Sequence, residues 1–165
     1  MAAAFDPSDL PAERRDRYAR LADEIAAVVE GEVDEVARMA TVAAMLKAAF
    51  DHYFWAGFYR VDPKRPEELM IGPYQGTLGC LRIAFGRGVC GRAAIDKQTI
   101  IVADVDAFAD HIACDPRSKS EIVVPVLDAC GRLIAVFDVD ASERGAFGQA
   151  DREGLEAILS RTFAA

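Results

Sequence analysis

At 165 residues, with 52% hydrophobic and 28% charged residues, the chain has the size and composition of one folded domain with a real core. Its net charge of −8 argues against nucleic-acid and anionic-membrane partners, both of which need clustered Lys and Arg. No apolar run reaches the roughly 18 residues of a membrane span, and no basic, apolar leader opens the chain. A cytoplasmic location follows as the expectation, with the four cysteines reduced and any disulfide transient.

Residues 1–12 read as an N-terminal tail ending near Pro11, which suits the first turn of a helix. Residues 13–165 read as a single domain. Tyr18, Leu21, Ile25 and Val28 recur at helical spacing, with Gly31 as a stop. A second helix follows with Val33, Val36, Met39, Val42, Leu46 and Phe50 on one face. These stripes suit either covering a sheet or pairing with a second subunit in a homodimer.

From Tyr53 to Val61 the period becomes two, dense in aromatic and β-branched residues, as in a strand. Trp55 and Tyr59 share a face of it. Both fit a core, yet each has a polar tip that needs a partner when buried. Asp62 to Pro66 is a loop signal, followed by strands over Glu68–Tyr74 and Leu81–Phe85. Gly86-Arg-Gly-Val-Cys-Gly91 spells the dinucleotide fingerprint G-x-G-x-x-G. The helix after it, Arg92 to Lys97, is too short, and alternating βα units are missing, so nucleotide binding is not expected there.

Thr99–Val102 is a further strand, and Asp104–Ser120 a long polar segment of the kind that is usually functional or disordered. Glu121–Leu127 and Arg132–Val139 form a hairpin around Asp128-Ala-Cys-Gly131, and Gln149–Phe163 closes the chain as a helix. The order of elements predicts an α+β fold, a central antiparallel sheet with N-terminal and C-terminal helices packed on it.

Two groups of residues carry chemistry. If the last hairpin pairs Leu127 with Arg132, Glu121 falls opposite Asp138, with Asp140 further along the same face. Like charges so placed are destabilising unless a cation is bound or one carboxyl group holds its proton. The cysteines (Cys80, Cys90, Cys114 and Cys130) contain no C-x-x-C pair, so a metal centre is not expected. Cys130 sits in the hairpin turn and reads as incidental. Cys80, Cys90 and Cys114 lie beside loops or glycines, which favours accessibility; Arg117 and Lys119 would favour a Cys114 thiolate, and Asp115 would oppose it.

Trp55-Ala-Gly-Phe-Tyr59, Gly72-Pro-Tyr-Gln-Gly76, Cys80, Gly86-Arg-Gly-Val-Cys-Gly91, His111-Ile-Ala-Cys-Asp115, Ser120-Glu-Ile-Val123 and Phe137-Asp-Val-Asp140 together resemble the free methionine-(R)-sulfoxide reductases, which are single GAF domains. The resemblance runs in order from about residue 15, with Tyr74 where phenylalanine is usual and Cys130 without a counterpart. It implies that Cys114 is the nucleophile toward the sulfoxide sulfur. Glu121 and Asp140 would act at the sulfoxide oxygen and Asp138 would bind substrate. Trp55 and Tyr59 would wall in the methyl group, and backbone N–H groups of Ile112, Ala113 and Cys114 would hold the substrate carboxylate. Cys80 matches the usual resolving cysteine and Cys90 an auxiliary one. No metal or organic cofactor is implied; thioredoxin would be the reductant, with NADPH entering only indirectly. A GAF ligand sensor is the competing reading, disfavoured by three accessible cysteines and by the absence of room for an output domain. A thiol switch without turnover is a third, and it gives the acidic residues no purpose.

Overall fold

The structure, a computed structural model, describes residues 5–165; residues 1–4 of the expected tail lie outside the described residues. Pro7–Asp9 form one turn of 3-10 helix capped by the Asp6 carboxylate, and Leu10 after it packs into the core. Helices α1 (Arg14–Val28) and α2 (Glu35–Ala49) follow. The second starts two residues later than its apolar periodicity predicts. The Asp34 carboxylate accepts from the Ala37 N–H at 2.8 Å and so sets the boundary. Val33 is left outside the helix and 86% exposed.

Strands β1 (Trp55–Asp62), β2 (Arg65–Gln75), β3 (Arg82–Ala84), β4 (Ile100–Val102), β5 (Ser120–Leu127) and β6 (Leu133–Ala141) make one antiparallel sheet in the order β3-β2-β1-β6-β5-β4. The expected loop at 62–66 is tighter than the sequence suggests, because Asp62 pairs directly with Arg65 and its carboxylate caps the Lys64 N–H. Helix α3 (Gly88–Asp96) begins four residues before the expected start, and α4 (Gln149–Phe163) has the expected bounds.

The pleat divides the sheet into two chemically different faces. Ala56 and Phe58 of β1, Ile122, Val124 and Val126 of β5, and Ala135, Phe137 and Val139 of β6 face one way. There they meet Leu21 and Ile25 of α1, Met39, Val42 and Leu46 of α2, and Leu155, Ile158 and Leu159 of α4. Helices α2 and α4 lie on the sheet and α1 packs beside them on α4, while Val28 and Val36, from the ends of the two stripes, stay exposed. This main core contains a polar knot: Tyr18 Oη donates to Asp151 Oδ1 at 2.9 Å and lies 2.5 Å from Tyr53 Oη, while Arg14 and the Gly148 N–H donate to Asp151 Oδ2. The opposite face packs Trp55, Tyr59, Val123 and Val136 against α3 through Val89, Cys90 and Ala93. Among the described residues, no helix is long and apolar enough to cross a membrane.

Candidate active site

The hairpin that carries the carboxylates has a different register from the simple expectation. Asp128 N–H donates to Arg132 C=O, Gly131 N–H donates to Asp128 C=O, and Gly131 has φ +77°. This is a three-residue turn with glycine in the left-handed position, one residue shorter than the assumed loop over Asp128–Gly131, and it moves the pairing by one residue. A second irregularity lies between Val126 and Leu127. The two slips add to two residues, so Glu121 pairs with Asp140 rather than Asp138, and Asp138 pairs with Val123. An even slip preserves the face, and all three carboxyl groups still point away from the main core.

On β1, Trp55 pairs with Asp140 and Gly57 with Asp138. A Cβ on Gly57 would sit 2.8 Å from Trp55 Cη2, so the missing side chain is what lets the indole lie flat over the strand. Trp55 stacks on Tyr59 and on Tyr74, with ring centroids 5.7 and 5.3 Å away. Its Nε1 donates to Thr77 C=O at 2.8 Å, which meets the need of its polar tip.

These residues floor a cleft of about 540 Å³, counted out to its open mouth and closed from above by two loops. One loop joins β2 to β3 and carries Cys80; the other, between β4 and β5, carries Cys114. A disulfide joins Cys80 to Cys114, with Cα atoms 5.7 Å apart. Cys114 is exposed and Cys80 half-buried. Asp115 ties the same loops together, accepting from Thr77 Oγ1 at 2.9 Å and from Arg117 at 2.8 and 3.0 Å. Arg87, just before α3, forks onto Asp110 at 2.7 and 2.9 Å and anchors the start of the Cys114 loop.

Electrostatics within the cleft follow burial. Glu121 and Asp138 are both buried, and each carboxyl is pushed well above its usual range, first by loss of water and then by the neighbouring carboxylates. Asp140 is raised to about 6, again first by desolvation, while a hydrogen bond from Ser118 and the nearby His111 hold it down. His111 Nε2 lies 3.3 Å from Glu121 Oε2. Such a set is poised to carry protons rather than permanent charges.

Several expectations need correction. Cys90 is not accessible: α3 starts at Gly88, its first turn faces the sheet, and Cys90 is 4% exposed as a free thiol. Burial and then Asp138 push that thiol up. Arg117 is not a free cation beside Cys114, because it pairs with Asp115 and lies over the Phe54 ring; Lys119 reaches Asp106. Ala113 does not line the cleft, although Ile112 and Cys114 do. Among the described residues, the N–H groups of Ile112, Ala113 and Cys114 have no intramolecular acceptor. Cys130 is exposed in the hairpin turn, on a different part of the molecule from the cleft lining. His111, Ser118 and Thr77 join the site without a sequence signal of their own. His111 stands out only as part of its motif, and no local feature aims Ser118 at Asp140.

Residues 30–162 match the family model described as GAF domain. "GAF domain-containing protein A" of Dictyostelium discoideum is 42% identical over 146 residues, covering 88% of this chain and 90% of that protein. Fold and cleft thus define a GAF domain with a thiol–carboxylate site. The "Free methionine-R-sulfoxide reductase" of Escherichia coli K12 is 38% identical over 144 residues, covering 87% of this chain and 85% of the relative. The structure of free methionine-R-sulfoxide reductase from Neisseria meningitidis in complex with its substrate superposes with a TM-score of 0.86 at 42% identity, covering 98% of this chain and 95% of that one. Within the GAF domains, the chain belongs to the free methionine-(R)-sulfoxide reductase family.

Proposed function

We propose that the protein reduces the (R) epimer of free L-methionine sulfoxide to L-methionine. The observation that carries this reading is the Cys80–Cys114 disulfide at the mouth of a cleft whose floor is a set of buried carboxyl groups with raised proton affinity. A sulfoxide sulfur accepts a thiolate only when its oxygen is protonated or strongly hydrogen-bonded, and such carboxyl groups supply the proton. In the reduced enzyme, Cys114 attacks that sulfur and takes over its oxygen. Methionine leaves, and Cys114 becomes a sulfenic acid. The Cys80 thiol condenses with it, forming the disulfide and releasing water. A thioredoxin-type dithiol returns both thiols by exchange, so two electrons enter per turnover. Reduction of this kind fits a cytoplasmic setting.

Glu121 and Asp140 are the groups assigned to the sulfoxide oxygen, and Asp138 to the substrate ammonium. An ammonium group is present in the free amino acid and absent from a residue inside a peptide, which supports a free substrate. The stacked Trp55 and Tyr59 suit the sulfoxide methyl group. The unengaged N–H groups of Ile112 and Cys114, which line the cleft, suit the substrate carboxylate. The direct test is thioredoxin-coupled NADPH oxidation with each epimer of free methionine sulfoxide, wild type beside Cys114→Ser. Turnover of the (R) epimer alone, lost in Cys114→Ser, is expected. A wild-type protein inactive on both epimers removes the enzyme reading, and a Cys114→Ser protein that still turns over moves the nucleophile elsewhere.

A further inference from the structure

The sequence has no C-x-x-C pair, and a bound cation enters its reading only as one way to relieve the facing carboxylates. Folding nevertheless assembles a metal ligand set from three separate elements. The Sγ of Cys90 on α3, a carboxylate oxygen of Glu121 on β5 and one of Asp138 on β6 all lie within 4.8 Å of one another, and all three residues are buried. Asp138 is 5% exposed, its Oδ1 has no partner outside this set, and the groups beside it are the other two members, Glu121 and Cys90. A carboxyl group withdrawn from water with only acidic neighbours is costly as an anion, and it invites a positively charged occupant.

We propose that the floor of the cleft binds a borderline-soft divalent cation, Zn2+ or Cd2+ by class, through Cys90, Glu121 and Asp138, and that the bound ion shuts out substrate. The donor set selects the class. One thiolate with two carboxylates suits zinc and its softer congener, whereas Mg2+ and Ca2+ require six or more oxygen ligands. Size agrees as well: tetrahedral neighbours around zinc lie about 3.5 Å apart, given its bond lengths of about 2.0–2.3 Å. The three donors lie within 4.8 Å of one another, so they close by at most about 1.3 Å to reach that spacing. The side facing the lumen is left for water or a fourth donor. Cys90 loses its proton when the ion binds, so binding releases acid.

Exclusion of substrate follows from shared ligands. Glu121 and Asp138 are the groups assigned above to the sulfoxide oxygen and the ammonium, so this second half of the proposal rests on that functional reading, whereas binding itself does not. A cell overloaded with zinc or cadmium would thereby lose this activity without any covalent damage to the protein.

The test uses the full chain with the Cys80–Cys114 disulfide formed and Cys130→Ser introduced, which leaves Cys90 as the only thiol. Co2+ serves as the spectroscopic stand-in for zinc. Titration is expected to give thiolate-to-metal charge-transfer absorption in the near ultraviolet, displaced by Zn2+. Cys90→Ser should abolish that band, and Glu121→Gln, which keeps Cys90, should weaken binding by about 100-fold, the upper range reached even by changes around a site. Circular dichroism establishes that each variant is folded. No band in the parent, or a band that survives Cys90→Ser, overturns the site. Zn2+ is then added to the reduced enzyme with free methionine sulfoxide under tris-phosphine, which does not bind zinc as dithiols do. Inhibition relieved by higher substrate is expected. Binding that depends on Cys90 without inhibition overturns the exclusion of substrate. Absence of reductase activity in metal-free protein overturns the functional reading instead, and leaves the spectroscopic result standing.

Discussion

Asp140 shows how one side chain's surroundings become a pH-dependent property. Its carboxyl is raised from 3.8 to about 6, chiefly by burial. The folded protein therefore binds more protons than the unfolded chain between those values, and stability falls as pH rises through that window. Above it the penalty is constant; below 3.8 it vanishes. Asp140→Asn is expected to raise the free energy of urea unfolding at pH 7 by about 1–2 kcal/mol once partial exposure is discounted, and to leave it unchanged at about pH 3.5. If Asp140 donates the proton to the sulfoxide, the rate in single-turnover reduction falls as pH rises through about 6. The asparagine variant loses that limb. Glu121, buried deeper, is likewise pushed well above the ordinary carboxylate range, first by loss of water and then by Asp140. The charge alternation of β5 and β6 makes this cluster legible in the sequence, because carboxylates following apolar strand residues on one face must meet across a hairpin. How they pair is not legible, since two single-residue irregularities intervene.

At the level of elements, the hairpin turn and the Cys114 loop are positioned by different devices. Gly131, with φ +77° and nothing within 4 Å of an added Cβ, is constrained by backbone conformation alone. Gly131→Ala should lower stability by about 1 kcal/mol with activity intact, read from chemical unfolding and turnover together. The Cys114 loop is held by polar ties instead. Arg87→Ala removes an exposed, solvent-screened ion pair that adds little to the stability of the fold, yet frees the segment from Asp110. Slower formation of the Cys80–Cys114 disulfide after one turnover is expected, together with faster amide exchange over residues 108–119. Periodicity locates α4 to the residue, since its apolar face and its neighbours agree. It misplaces the start of α2, where the Asp34 cap overrides apolar spacing, and the start of α3, whose glycine-rich first turn carries little helical signal.

For the whole molecule, the sheet separates a stabilising face from a reactive one. Phe137, fully buried among three helices, should cost about 3–5 kcal/mol as Phe137→Ala and lower the thermal midpoint whatever the redox state. The disulfide acts across the other face, closing a span of 34 residues. By the chain-entropy account its reduction removes about 3–4 kcal/mol, so the oxidised protein should melt higher than the reduced one in parallel calorimetric scans. That difference should be absent in Cys80→Ser.

The sequence by itself determined the class of fold, the face of each strand and the chemical inventory, because these depend on local periodicity and residue type. Trp55 and Tyr59 share a side whatever the rest of the chain does, and Glu121, Asp138 and Asp140 cannot be split between faces by an even slip. The motifs also carried the family. Tertiary structure decided which thiol meets which: Cys80 reaches Cys114 while Cys90 lies buried on the cleft floor beside the carboxylates. It also drew off Arg117 to Asp115 and aimed Ser118 at Asp140. Those outcomes depend on loop closure, on helix docking against the sheet and on depth below the surface. Each sums contacts between segments far apart in the chain, and none leaves a periodic trace within any one of them.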